Sequence, residues 1–377
     1  MRPIVETPPD EATMARIRAV CPGIALRGPE PGQEGRRGTF HPVWGPIRTL
    51  HLGWARDPEI RFRAAAGGAM TALGVHLIES GEVDAVLHVR ASAAHPMETE
   101  AAVSRSRAEV IAGAQSRYGP AAPLQHVHRL LDEGVRFAVL AKPCDVGAIR
   151  SLGRIDGRVA RQIPYLVTIF CGGAPTLETA KRIAAYHGLT EDEVAVFRWR
   201  GMGWPGATHV AARDGRTFDL SYDFVWYTEG LPWTYDIQFR CKICPDAIGE
   251  LADLACPDAW IMEDGKPVHR EADGRNLFIA RTEAGERLVA EAAAAGAIAI
   301  EPFAPAELEA MHGDHRPRKT EWPARVRALA AEGEPAPSYE NFRAETMVAL
   351  LGPEADAEAE AGARRRVREG RHREPDR

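Results

Sequence analysis

Cys241 and Cys244 in "RCKICPDAIGELADLACPDAW" form a C-x-x-C pair, a spacing at which two thiolates can meet on one metal centre. One pair does not complete a site, because tetrahedral zinc and most cubane iron-sulfur clusters take four ligands. Cys144 in "AKPCD" and Cys171 in "IFCGG" are the candidates for the other two. Both follow apolar, strand-like runs and enter Gly- or Pro-containing loops, and in parallel α/β sheets the strand C-termini line the ligand crevice. Cys256 in "LACPDAW" lacks that placement but is close enough to Cys244 to be a reserve ligand, and Cys21 in "AVCPG" is the sixth thiol. Against a metal stands the ordinary behaviour of free cysteine, which is among the most buried residue types and commonly only packs. The residues alone do not choose between zinc and iron.

Other residues have types suited to holding a charged, planar ligand. Gly67 and Gly68 in "RAAAGGAMTAL" open a helical stretch, where free N–H groups and the helix dipole favour phosphate, although such a pair is ordinarily a tight turn or a close packing contact. Ser116, Arg117 and Tyr118 in "QSRYGPAAP" could clasp a pyrophosphate and stack on a ring, or form a solvated turn. Arg198, Arg200 and Trp204 in "RWRGMGWPG" combine guanidinium with aromatic surface, which suits an anionic ring. Trp199, Trp204, Trp226 and Trp233 could wall an apolar cleft, but such residues are more often core. His312 and His315 in "MHGDHRPRK" are spaced loosely for a metal and are expected to be solvated.

The elements that must position these groups read as α/β. "GAMTALGVHLIESG" has apolar residues at helical spacing and stops at Gly81. "VDAVLHV", "RFAVLA" and "PYLVTIFCGG" are short, buried-looking strands alternating with helical stretches, the signature of βα units. The expectation is a lead-in arm over 1–45, an α/β domain with a mostly parallel sheet over 46–195, and a second α+β domain over 196–335. That second domain would carry a β-rich insertion around "RDG", and its "NLFIARTEAGERLVAEAAAAGAIAIEPF" reads as strand, helix and strand. The polar, charge-blocked stretch 336–377 is expected to be disordered.

With 377 residues and 45% apolar content, the chain can bury a large core. A formal charge of −6 gives no basic field for nucleic acid, and no run approaches the roughly 20 apolar residues needed to cross a bilayer. A cytoplasmic protein without membrane insertion is expected, in which thiols stay reduced and serve metal or redox chemistry. The composition is compatible with a homo-oligomer.

Six segments in order, "AGGAMTALGVHLIESGEVDAV", "GAQSRYGPAAP", "AKPCDVGAIRSL", "IFCGGAPT", "RWRGMGWPG" and the Cys241 to Trp260 stretch, resemble the beta subunit of coenzyme F420 hydrogenases and dehydrogenases and its relatives among chlorophyll-pathway reductases. The likeness spans about 45–300. It implies a flavoprotein oxidoreductase with FAD and a [4Fe-4S] cluster, whose ligands would be Cys144, Cys171, Cys241 and Cys244, matching the count from the residues. The flavin would lie near Gly67, Gly68, Ser116, Arg117, Tyr118 and Lys142, with Lys142 and nearby arginines stabilising its reduced form. The implied partners are a deazaflavin coenzyme or a tetrapyrrole as substrate, and ferredoxin or a partner subunit as electron donor. The alternative is a non-catalytic electron-transfer or scaffold subunit with a structural metal. Many relatives begin with a ferredoxin-like cysteine run of which only "VCPG" remains here, so the start is read as truncated or as that of a member taking electrons from a partner. Ala66, Cys256 and Pro257 also depart from the usual pattern.

Overall fold

Strands that are apolar on both faces need neighbours on both edges and helices above and below, and one sheet supplies these conditions here. In the computed structural model, residues 7–30, 32, 35, 38–233 and 237–373 are described. The sheet has eight strands: β1 (Thr49–Ala55), β2 (Ala85–Ala91), β3 (Thr99–Ser104), β4 (Phe137–Leu140), β5 (Leu166–Thr168), β6 (Leu254–Ala255), β7 (Asn276–Ala280) and β8 (Ile298–Pro302). Their order is β8-β1-β7-β6-β5-β4-β2-β3. The four central strands, β6, β5, β4 and β2, run parallel, and the outer strands are added antiparallel. The α/β class and the parallel centre agree with the sequence.

Six helices matter to the site: α1 (Ala69–Glu79), α2 (Pro143–Gly153), α3 (Glu283–Ala294), α4 (His315–Ala331), α5 (Ala344–Leu351) and α6 (Pro353–Arg368). Successive strand residues point to opposite faces. Val86, Leu140 and Val167 therefore meet Leu73 and Leu77 of α1 and Leu288 of α3 on one side. Leu87, Val139 and Leu166 meet Val146 and Ile149 of α2 and Trp322 of α4 on the other. Each fully buried aliphatic side chain contributes roughly 1.5–3 kcal/mol of transfer free energy.

The division at 195/196 is not a domain boundary in the sheet. Strands β6, β7 and β8, all beyond 196, complete the edges of β5 and β1, because a buried parallel strand cannot leave its ladder unpaired. The β-rich insertion is present as Val194–Arg198, Thr208–Ala212 and Thr217–Leu220, paired antiparallel with the "RDG" turn between the last two.

The ends also depart from expectation. The arm forms a helix, Glu11–Val20, and a strand, Ala25–Arg27, that pairs in parallel with Ser338–Glu340. Over 336–373 the stretch expected to be disordered instead contains that strand, α5 and α6. Its acid-then-base blocks fit a helix dipole, with Glu354 and Asp356 in the first turn of α6 and Arg365, Arg366 and Arg368 in the last. Asp356 and Glu360 pair with Arg327 of α4, and Arg364 and Arg368 with Glu332. Residues 1–6 and five others of the arm, and 374–377 of the tail, lie outside the described residues. Among the described residues no helix is long and apolar enough to cross a membrane.

Beneath the cysteine-bearing loop, the buried Lys319 of α4 pairs with the equally buried Glu250 and donates to the Pro245 carbonyl, while Arg343 reaches the same carboxylate at 2.8 Å. Breaking a buried pair leaves an uncompensated charge and costs about 3–5 kcal/mol, the lower end applying while Arg343 remains. Lys319→Ala is expected to lower the urea midpoint by about 3 kcal/mol equivalent, whereas Arg129→Ala, in an exposed pair with Glu133, should change it by less than about 1 kcal/mol.

Candidate functional site

The four predicted thiols converge from three places in the chain. Cys144 lies in the first turn of α2, just after β4, and Cys171 lies three residues beyond the end of β5. Cys241 sits on the short helix Phe239–Lys242, and Cys244 begins the loop that leads into β6. Burial pushes the Cys144 thiol up to about 12, helped by the charges of Asp145, Cys171 and Cys241 and opposed by Lys142. Cys171 and Cys244 are raised in the same way, first by burial and then by neighbouring thiols, Cys241 for the former and Cys144 and Cys241 for the latter. Each of the four thus lies within electrostatic reach of another.

Backbone donors converge on the same sulfurs. The N–H groups of Gly173 and Asp246 hydrogen-bond Cys171 and Cys244, and the Ala174 N–H lies 3.5 Å from Cys241 Sγ. The loop carrying them is held by the Pro175–Ile237 bridge and by a Gln238 N–H to Ala174 carbonyl bond of 3.3 Å. Gly173, at φ +107°, lies so close that a Cβ would sit 2.6 Å from Ile237 Cγ2 and 3.3 Å from Cys241 Cβ. Four half-buried thiols, three of them with an N–H group aimed at sulfur, form a donor set that binds metal by releasing protons, so the residues present fit a thiolate-ligated centre.

Cys256 does not belong to this group. It is buried in the core beside Leu254 and Phe278, and burial alone raises its thiol. Cys21 comes into the neighbourhood through Tyr339, whose hydroxyl is raised first by burial and then by Cys244, Cys144, Cys21 and Cys241.

Of the residues expected to hold a flavin, Lys142, Arg117 and Arg200 are engaged by protein. Lys142 caps α2 beside the thiols and pairs with Asp145 at 2.5 Å; burial opposes its charge, but Asp145, Cys144 and Cys171 outweigh burial and raise it. Arg117 donates to the carbonyls of Phe197 (2.9 Å), Pro96 (3.1 Å) and Glu98 (2.7 Å), clamping the insertion to the chain before β3. Ser116 is half-buried beside it. Gly67 and Gly68 are buried at the N-terminus of α1, where Asn276 Oδ1 accepts from the Ala69 N–H at 3.2 Å. A Cβ on Gly67 would meet the Arg275 backbone at 2.9 Å, so close packing accounts for that glycine.

Arg200 is buried and spent internally. It makes a two-pronged contact with Asp258 (2.6 and 3.2 Å) and donates to the Ala65 and Pro205 carbonyls and the Tyr118 hydroxyl. Trp204 Nε1 donates to the same Asp258 carboxylate at 2.9 Å. Tyr118 packs between Trp199 and Trp226, and Trp199, Trp204 and Trp233 are buried in the cores, so they form no open wall. The aspartates of the cysteine loop are structural: Asp246 accepts from the Glu250 N–H at 2.6 Å, and Asp253 binds the Leu166 N–H, Arg150 and Thr282. Burial and the Glu250 charge push the Asp246 carboxyl up to about 6.

His312 and His315 are not solvated. Both are buried against Phe170, the neighbour of Cys171, at ring separations of 4.9 and 5.3 Å. The sequence misleads because the residues around them are basic and polar, while the turn at 312–314, between the Pro305–Met311 helix and α4, directs both imidazoles inward.

Residues 50–128 match the family model described as coenzyme F420 hydrogenase/dehydrogenase, beta subunit N-term, and residues 134–306 match the one described as its C terminus. The fold is also similar to a chain of the F420-reducing [NiFe] hydrogenase complex from Methanosarcina barkeri, solved as a xenon derivative. The TM-score is 0.63 at 18% identity, over 81% of this chain and 99% of that one. All four thiols fall within the C-terminal match, the two matches together span most of the chain, and the chain belongs to the coenzyme F420 hydrogenase/dehydrogenase beta subunit family.

Proposed function

We propose that the chain is a cytoplasmic redox subunit that holds a [4Fe-4S] cluster on Cys144, Cys171, Cys241 and Cys244. In this reading it moves electrons between a partner subunit or ferredoxin and a small reducible substrate, a deazaflavin coenzyme. The observation that carries the reading is the spacing of the thiols. Cys144, Cys171 and Cys244 each feel the charge of neighbouring thiols, yet no three of the four lie mutually within 4.8 Å. Four sulfurs on one tetrahedral zinc ion stand about 3.8 Å apart at the usual bond length, a tighter group than this one.

When bound, a cluster supplies one-electron transfer. The chain's own groups set its surroundings. The Gly173, Ala174 and Asp246 N–H groups stabilise negative charge on sulfur, and Lys142 adds a positive charge beside Cys144 and Cys171. FAD enters the proposal through the family alone, because Arg117, Arg200 and Lys142 are engaged with protein groups and do not fit a grip on its pyrophosphate. The buried Trp199, Trp204 and Trp233 weigh against a tetrapyrrole cleft.

The test is anaerobic purification followed by iron, acid-labile sulfide, zinc and flavin analysis on one sample. About four irons and four sulfides per chain are expected, lost in Cys171→Ser and retained in Cys256→Ser. Zinc on the thiols without iron would overturn the reading and favour a scaffold subunit.

A second expectation concerns the donor loop. Gly173→Ala should displace Cys241 and lower the iron retained after gel filtration. Gly172→Ala, where a Cβ meets nothing within 4 Å, should retain wild-type iron. Equal iron in the two variants would remove the loop from the site.

A further inference from the structure

Buried imidazoles normally find partners for both ring nitrogens, and an orphaned one asks for an explanation. At His312 and His315 the Nε2 atoms are both buried and without a hydrogen-bond partner. The rings are 3% and 7% exposed, and they face each other edge to face at a centroid distance of 5.7 Å. Nδ1 of His315 lies 3.1 Å from Asp314 Oδ1, which places its proton on that nitrogen and leaves the Nε2 lone pair outward from the bond. His312 is hydrogen-bonded to the Asp258 backbone carbonyl. One donor atom from each of His312, Asp314 and His315 can be chosen so that all three lie within 4.8 Å of one another.

We propose that His312, His315 and Asp314 form a binding site for a first-row divalent cation with a preference for nitrogen ligands, of the zinc type, separate from the thiol group. The two imidazoles supply lone pairs from a dry wall of Phe170 and Trp44, and the carboxylate supplies charge. The Asp258 carbonyl behind His312 is the kind of partner found behind metal-bound histidines, and on binding the Asp314 carboxylate would leave His315 Nδ1 for the ion. Asp314 is exposed, so the ion has a route from solvent and a coordination position open to water. Ligand nitrogens on one zinc stand about 3.3 Å apart at the usual bond length, so a modest turn of the side chains closes the triad.

An anion is the less suitable occupant. Asp314 caps α4, whose N-terminal dipole favours negative charge, but the carboxylate already occupies that position. Imidazole lone pairs accept and do not donate, so they suit a cation. The ion would fix the turn before α4 against Phe170, one residue from Cys171, and so couple occupancy here to the shape of the thiol loop.

The test is anaerobic titration of the full-length protein with cobalt(II), read by absorption and by competition with zinc. The expected result is one equivalent giving weak d–d bands without thiolate-to-metal charge transfer. It should persist in the Cys241→Ser/Cys244→Ser double variant and weaken at least about tenfold in His312→Gln, His315→Gln and Asp314→Asn. Absence of such an equivalent in the wild-type protein overturns the proposal. So does a signal that disappears with the cysteines and survives in His315→Gln. Because the wild-type and cysteine variants are read by the same bands, failure here is distinguishable from failure of the thiol assignment.

Discussion

A carboxylate with no exposed surface, Glu250, is held between the Lys319 ammonium and the Arg343 guanidinium, and this contact joins the loop after Cys244 to α4 and to the C-terminal region. Its reach extends further, because Asp246 of the same loop accepts from the Glu250 N–H and Arg281 of the sheet donates to the Ile248 carbonyl. Two thiols of the site, Cys241 and Cys244, therefore stand on a segment whose far end is fixed by charge in a dry interior. Desolvating ions is costly, so this arrangement is only tolerable when each charge is paired and each remaining donor is used. Lys319 meets that demand by also donating to the Pro245 carbonyl, next to Cys244.

The other two thiols are positioned by the sheet itself. β6 is two residues long and lies between β5 and β7, so the cysteine loop returns into the centre of the sheet next to the strand that delivers Cys171. A hydrogen bond from the Cys171 N–H to the Ala247 carbonyl at 2.8 Å ties the two loops together directly. The insertion between β5 and β6 has anchors of its own, Arg117 and the Arg200–Asp258 pair.

How much of this was legible in the sequence follows from which forces write local patterns. The strands β2, β4, β5 and β7 were readable because burial on both faces demands an unbroken apolar run. The four thiols were readable as candidates because they stand at strand ends and in a close pair. β6 was not, since two residues carry no periodicity and its place comes from its neighbours. α6 was misread as disorder because its stability comes mainly from ion pairs to α4 and from dipole complementarity, and only Ala363 and Val367 are buried on it. The cofactor assignments that depended on Arg117, Arg200 and Lys142 show the complementary limit, because residue type announces a capacity to bind an anion without saying which anion or carbonyl has taken it.

That limit bears on how this molecule can hold any anionic ligand. A guanidinium buried as deeply as Arg200 calls for a counter-charge; burial opposes its charge and the Asp258 carboxylate more than offsets that. Pulling Arg200 toward a phosphate would strand Asp258, together with the Trp204 N–H that relies on it, and the ligand would have to repay both losses. The cheaper contacts are backbone N–H groups and half-exposed hydroxyls, which need no counter-charge to be released. Ser116 and Tyr118 are of this kind, both half-buried on the same loop as the engaged Arg117. Arg117 and Arg200 thus act as rivets between the insertion and the rest of the fold, and their charge is spent on protein groups.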